Sequence, residues 1–289
     1  RNMYTMGRHS IERGSRDHWT ANPRRDGAIA GQMPNTSDSA RWAAMKAPAL
    51  RDPRGYVIPA GQPDFPTATK FVNALLETGI TVERATKEFS VAGKGYPAGS
   101  FVVRTAQAFR PHVMDMFEPQ VHPDVFPFPG SPPTPPYDNA GWTLAYQMGV
   151  RFDRILDGFT GPFEKLTAWN VAPPAGMVTG ASGATGFVAG NRANDSFIAL
   201  NRLLKANQHV MRLTSPMTAG GRSYPAGSFY VHATPAALTS MQKSAAQLGV
   251  SFDGTASAPP ADAIRLRTPR VGLWDTYGGS IPSGWTRWI

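Results

Sequence analysis

The six residues YPAGSF at Tyr96–Phe101 return unchanged at Tyr224–Phe229, 128 positions later. Sliding the chain by that interval aligns 71–104 with 199–232 without a gap, and 14 of the 34 pairs are identical. The matches include Asn73/Asn201, Leu75/Leu203, Val82/Val210, Arg84/Arg212, Thr86/Thr214, Gly93/Gly221 and Val103/Val231. Agreement at this density identifies an internal duplication, and a repeat well over fifty residues long is a small domain, not a solenoid turn.

Both stretches carry one pattern. A short apolar strand, Tyr56-Val57-Ile58 or Phe187-Val188-Ala189, leads into a helix. In the first, Pro66 and Thr67 open that helix and Phe71, Leu75 and Leu76 line one face. In the second, Asn194-Asp195-Ser196 supplies the N-cap and Leu200, Leu203 and Leu204 the stripe. A second strand follows at 80–84 or 210–213. The repeated phrase closes a two-strand hairpin and delivers an aromatic residue and a valine into a further strand. Helices over about 106–118 and 235–248 end the two patterns. Strand, helix, strand, hairpin and helix predict an α/β fold made of two duplicated units, 51–118 and 179–258.

Residues 119–178 separate them. PFPGSPPTPPYD gives this stretch a proline density that favours extended chain, with one helix expected behind Asp138, carrying Trp142, Leu144, Ala145 and Met148. Residues 1–50 read as a terminal helix, a polar loop and a helix over about 39–46. Within 259–289, Val271-Gly272-Leu273-Trp274-Asp275 reads as a strand, followed by a Gly-Gly turn and the start of a helix. The chain opens on Arg1 and closes on Gly284-Trp285-Thr286-Arg287-Trp288-Ile289, so it is read as an internal piece of a longer polypeptide.

Several function classes recede on composition. There is no cysteine, which removes disulfides, thiolate metal sites and cysteine nucleophiles. No apolar run approaches eighteen residues, so no membrane span is expected. The net charge of +9 is concentrated early, at Arg8, Arg13, Arg16, Arg24 and Arg25. It lacks the basic stripe interleaved with aromatics that nucleic acid requires, and no nucleic-acid partner is expected.

Four motifs invite chemistry. VTGASGATG at Val178–Gly186 has the letters of a dinucleotide loop, which would make the chain a nucleotide-binding oxidoreductase-like domain. That chemistry needs a buried strand before the glycines and a helix after them. Here Pro173 and Pro174 leave only Met177-Val178 ahead, and a strand and turn come next, so a flexible surface loop is the favoured reading. His112, Asp115, Glu118 and His122 fall within eleven residues, but without a paired zinc spacing they read as a solvated face. Ser182 lacks the nucleophile-elbow spacing. Trp142, Trp169, Trp274, Trp285 and Trp288 could form a peptide- or glycan-binding surface with the Pro-rich stretch. Aromatics set among Leu and Met are more commonly core, and core is the reading taken. His9, His18, His209 and His232 stand alone.

The segments MGRHSIERGSRDHWT, PRGYVIPAGQPDFPTATKFVNALLETGI, YPAGSFVVRTAQAFRPHVMDMFEPQ, PPTPPYDNAGWTLAYQMGVRFDRI and RANDSFIALNRLLKA resemble large bacterial zinc carboxypeptidase-like proteins of the carboxypeptidase A-like metallopeptidase family. The likeness lies in the region after the peptidase domain. RVGLWDTYGGSIPSGWTRW looks like the start of the glutamine-amidotransferase-like domain that follows in such proteins. The resemblance implies a parent that is exported, secreted or periplasmic, and hydrolyses peptide or peptide-like amide bonds with zinc held by an HxxE pair and a later histidine. His9-Ser10-Ile11-Glu12 spells HxxE, but within a segment that resembles the post-catalytic region, and His18 is too near to be the distant third ligand. No catalytic, cofactor or metal residue is therefore carried over. This chain is expected to be a non-catalytic accessory region without a cofactor of its own, its partners the peptidase and amidotransferase-like domains of the same polypeptide.

Overall fold

In a computed structural model the chain is a mixed α/β protein with several small sheets; the structure describes residues 1–120, 124–136 and 141–288. It divides into two compact units, Arg1–Pro174 and Ala175–Ile289.

The first unit opens with helices α1 (Asn2–Gly14), α2 (Pro23–Gln32) and α3 (Asp38–Met45). Helix α2 falls where a polar loop was expected. Asn22 accepts from the Arg25 N–H at 2.8 Å and Pro23 fills the first turn, so local capping builds a helix that apolar periodicity does not announce. Strand β1 (Gly55–Ile58) then leads to α4 (Phe65–Glu77), β2 (Glu83–Ala85), the hairpin β3 (Phe89–Val91) and β4 (Lys94–Tyr96), β5 (Phe101–Arg104) and α5 (Arg110–Phe117). Helix α5 starts later than its sequence pattern because the Gln107 side chain is held by the backbone of Thr81 and Arg104.

The proline-dense residues 124–136 form no helix or strand, as expected, but the rest of the stretch is more regular than the connector expected there. After α6 (Leu144–Gln147), whose N-cap is Thr143, it contributes β6 (Asp153–Ile155) and β7 (Phe163–Lys165) to a five-stranded antiparallel sheet ordered β6-β1-β5-β2-β7. Asp138, the expected cap of α6, lies outside the described residues.

The second unit runs through β8 (Val178–Thr179), β9 (Gly186–Ala189), α7 (Asn194–Lys205), β10 (Val210–Arg212), the hairpin β11 (Met217–Ala219) and β12 (Arg222–Tyr224), β13 (Phe229–His232), α8 (Pro235–Leu248), β14 (Phe252–Thr255), β15 (Ile264–Arg265) and α9 (Ile281–Trp288). Its sheet is ordered β15-β10-β13-β9-β14-β8, antiparallel except for the last pair. The N-cap of α7 is Ala193, and Asn194, Asp195 and Ser196 fall inside its first turn, where the Asp195 charge suits the helix dipole. No strand forms over 271–275. Val271 and Trp274 are 83% and 85% exposed, and no neighbouring strand among the described residues pairs with them.

In each unit the sheet is covered on both faces, which is why β1 and β9 are buried at every position. Strand alternation sends Tyr56 and Ile58 to the helices, against Phe71, Leu75 and Phe117, and Val57 to the hairpin side with Tyr96 and Phe89. Likewise Phe187 and Ala189 meet Leu203 and Met241, while Val188 meets Tyr224 and Met217.

The phrase YPAGSF makes one structure twice. Gly99 and Gly227 have φ of +86° and +89°, the third position of a turn closed by Ser100 N–H to Pro97 O and by Ser228 N–H to Pro225 O. Gly99 N–H then donates to Ala85 O, and Gly227 N–H to Leu213 O, each at 2.8 Å. A side chain there would strain the backbone, and a different turn would break these two bonds.

Candidate functional site

The hairpins carry the most concentrated polar chemistry. In the second unit Tyr224, the last residue of β12, donates its phenol to Asp253 Oδ2 at 2.7 Å. Asp253 sits on β14 with 1% exposure, takes Thr179 Oγ1 at 2.7 Å, and receives Arg222 at 2.8 and 3.0 Å. In the first unit Tyr96 is hydrogen-bonded to Asp153 of β6, and Lys94 reaches the same carboxylate at 2.7 Å. Burial, reinforced by the carboxylates, raises both phenols above their ordinary range. A phenol held protonated and a carboxylate already filled with donors are poor nucleophiles and bases. The pair fastens each hairpin to its sheet, to the edge strand β6 in the first unit and to β14, between β9 and β8, in the second.

A second array surrounds Asp52, which is 4% exposed. Its carboxylate accepts from His18 Nδ1 at 2.9 Å, Thr20 Oγ1 at 2.7 Å, Thr20 N–H at 3.1 Å and Arg110 at 2.6 Å. Burial raises the Asp52 pKa, but the hydrogen bonds from His18, Thr20 and Arg110 outweigh it and leave the group below the usual carboxylate range. His18, expected to stand alone, is thus half of a His–Asp pair. Thr20 donates to the carboxylate and not to the imidazole, so the array lacks the nucleophile-to-base contact that acyl transfer needs. It ties the segment after α1 to the start of α5.

The motifs singled out in the sequence disperse. His112 Nε2 meets Thr78 Oγ1 at 3.1 Å, Asp115 accepts from Gln120, and Glu118 accepts Tyr56 and Arg154 at 2.8 Å each. Burial raises the Asp115 pKa. His122 lies outside the described residues. His9 and Glu12 share α1, where Glu12 pairs with Arg16 at 3.5 Å. The His209 and His232 rings meet at a tilt of 38° with centroids 4.2 Å apart, and burial followed by His209 lowers the His232 pKa. Among the described residues no group of three or more His, Asp or Glu could hold a metal ion. No described helix is long and apolar enough to cross a membrane.

VTGASGATG joins β8 to β9, strand to strand, and Ser182 is exposed within it. Its glycines have local reasons. A Cβ on Gly186 would sit inside the Tyr230 ring, while Gly180, at φ +63°, abuts Gly254 where β8 pairs with β14. The tryptophans are not core: Trp169, Trp274, Trp285 and Trp288 are 74%, 85%, 64% and 84% exposed, and Trp142 is half-buried. In α9, Ile281, Trp285 and Trp288 share one face, but no element covers it among the described residues.

Concave features are present as well. A groove of about 540 Å³ between α2 and α3 is lined by Pro23, Asp26, Asp38, Arg41, Trp42 and Met45. A cleft of about 350 Å³ lies where α4 ends and the chain leaves β7, at Leu76, Ile80, Lys165, Thr167 and Trp169. Another of about 390 Å³ lies where α7 ends and the chain leaves β15, at Asn207, Gln208, Arg265, Arg267 and Thr268. The sequence pattern at an offset of 128 misses these clefts and the Tyr–Asp pairs, since one wall of each comes from a segment in a different register. The legible signal was Gly149-Val150-x-Phe152-Asp153 against Gly249-Val250-x-Phe252-Asp253, 100 residues apart. No family model matches the chain, and no curated protein or solved structure matches it.

Proposed function

We propose that the chain is an internally duplicated, non-catalytic scaffold, the accessory region of a zinc carboxypeptidase-type metallopeptidase that is exported and cleaves peptide or peptide-like amide bonds. The observation that carries the duplication is a shared strand order. Read by role, β6-β1-β5-β2-β7 and, inside the additional edge strand β8, β14-β9-β13-β10-β15 run outer, first, fifth, second, outer in both units, with Val57 opposite Asp153 and Val188 opposite Asp253. The paired turns, the two Tyr–Asp fastenings and the matching bonds Leu166 N–H to Val82 O and Leu266 N–H to Val210 O, both 2.9 Å, support it further. In this reading the repeated unit reaches through the Pro-rich stretch to β7. The metallopeptidase assignment rests on the sequence resemblance.

A scaffold role fits polar clusters whose carboxylates are spent on internal donors. The partners would be the peptidase and amidotransferase-like domains of the same polypeptide. The test is to purify the chain, assay it on peptides with free C-terminal carboxylates with and without zinc, and measure bound metal. Neither hydrolysis nor stoichiometric zinc is expected, whereas the intact polypeptide should cleave the same peptides in a chelator-sensitive way. Chelator-sensitive hydrolysis by the isolated chain, or an intact polypeptide inert with zinc, would overturn the reading.

A further inference from the structure

We propose that the second unit carries an acid-sensitive latch, the His209–His232 pair, which holds the adjoining ends of β10 and β13 while both imidazoles are neutral and loosens them when they charge. The two residues extend the β10–β13 register one step beyond Val210 and Val231, and His232 N–H donates to His209 O at 3.0 Å. Their rings lie with centroids 4.2 Å apart, and among the described residues no ring nitrogen of either has a hydrogen bond. Neutral rings tolerate that contact, whereas two imidazolium ions so close repel.

No carboxylate faces the pair to compensate the charge. Gly186 of β9, opposite His232, has no side chain, and the Tyr230 ring stands edge-on to His232 at 5.2 Å with its phenol bonded to Ser257 O. Next on the same face of β10 is Met211, and β15 sets Arg265 opposite it, with Arg267 two residues on. Gln208 and Thr234, just outside the pair, bond to one another at 2.6 Å. Asp253 lies beyond β9 on β14 and is filled by Tyr224, Thr179 and Arg222. The carbonyl end of α7 favours a cation, but it already carries Arg202 and Lys205, and its last carbonyls accept the N–H groups of Ala206, Asn207 and Gln208.

The first unit supplies an internal control. At an offset of 128 the counterparts of His209 and His232 are Thr81 and Arg104, and Glu83 answers the Arg104 charge at 2.8 Å. Met211 stands in the place of Glu83. A cation at this position is matched in the first unit and unmatched in the second. The second unit, residues 175–289, holds no other histidine and no glutamate, and has ten Lys and Arg against four Asp, so protons added near neutrality enter an already positive body through this pair. Burial, with His209 next, lowers the His232 pKa on folding. Its stabilisation is therefore full above the unfolded histidine value, about 6.5, and is lost as pH falls from there toward the folded value. This inference stands independently of the metallopeptidase reading.

The experiment is amide hydrogen exchange of the full chain at about pH 7.5 and about pH 5.5, corrected for the intrinsic exchange rate. Protection over 209–212 and 229–232 should fall at the lower pH. The fall should vanish in H209Q/H232Q and persist in H112Q, a change in the first unit. Equal protection at the two pH values, or an undiminished fall in H209Q/H232Q, overturns the proposal. An NMR titration of the imidazole signals is a second test that needs only H209Q. Removing the neighbouring ring should move the His232 midpoint upward, and an unmoved midpoint overturns the latch.

Discussion

Replacing Asp253 by Asn removes one charge from a side chain of nearly unchanged shape, and the cost can be worked from its partners. Asp253 is 1% exposed and receives Tyr224, Thr179 and Arg222. Arg222 is 57% exposed, so its share is a screened surface interaction of at most about 1 kcal/mol. The phenol and hydroxyl bonds to a buried carboxylate are stronger, about 1.5–3 kcal/mol each, and Asn keeps one acceptor for them. Asp253→Asn should therefore destabilise the second unit by about 3 kcal/mol. The corresponding change in the first unit should be milder. Asp153 is 32% exposed and its cation Lys94 56% exposed, so Asp153→Asn should cost about 1 kcal/mol. Urea unfolding followed by circular dichroism gives the totals, and amide hydrogen exchange assigns the loss to β11–β12 or to β3–β4. A double-mutant cycle with Tyr224→Phe should return a coupling above about 1 kcal/mol. If Asp253→Asn costs no more than Asp153→Asn, or the Tyr224–Asp253 coupling vanishes, the hairpin is not fastened through this carboxylate.

Gly186→Ala places a methyl group in the Tyr230 ring and should cost about 1–3 kcal/mol by overpacking, read as a lower urea midpoint confined to the second unit. Ala92 holds φ +51° in the first hairpin turn, where the second hairpin has Gly220, so Ala92→Gly should raise stability by about 1 kcal/mol in thermal unfolding. The Asp52 pKa is depressed on folding, so its stabilisation is full above the unfolded carboxylate pKa, near 4, and is lost as pH falls through the folded value. Asp52→Asn should flatten the acid limb of the stability–pH curve. It should also cost about 3 kcal/mol at neutral pH, because Arg110 is left 6% exposed without its counter-ion.

What could be read in advance follows from where the determinants sit along the chain. Helices α4, α7 and α8 were legible because their apolar stripes and opening residues are local, and both hairpins because Gly93, Gly221 and the repeated phrase punctuate them. The α/β class followed from those elements alone. Strands β6, β7, β14 and β15 were not legible. Residues 71–104 match 199–232 at an offset of 128, whereas Gly149-Val150-x-Phe152-Asp153 matches Gly249-Val250-x-Phe252-Asp253 at 100, and the Pro-rich stretch lies between 104 and 149. Aligning only the longer offset left Asp153 inside a presumed connector and Asp253 at the end of a unit, with nothing to connect either to Tyr96 or Tyr224. The same change of offset hid the clefts, since Lys165 and Arg265 meet the helix ends only once β7 and β15 have joined their sheets. The glycine loop runs from strand to strand, as its neighbours indicated.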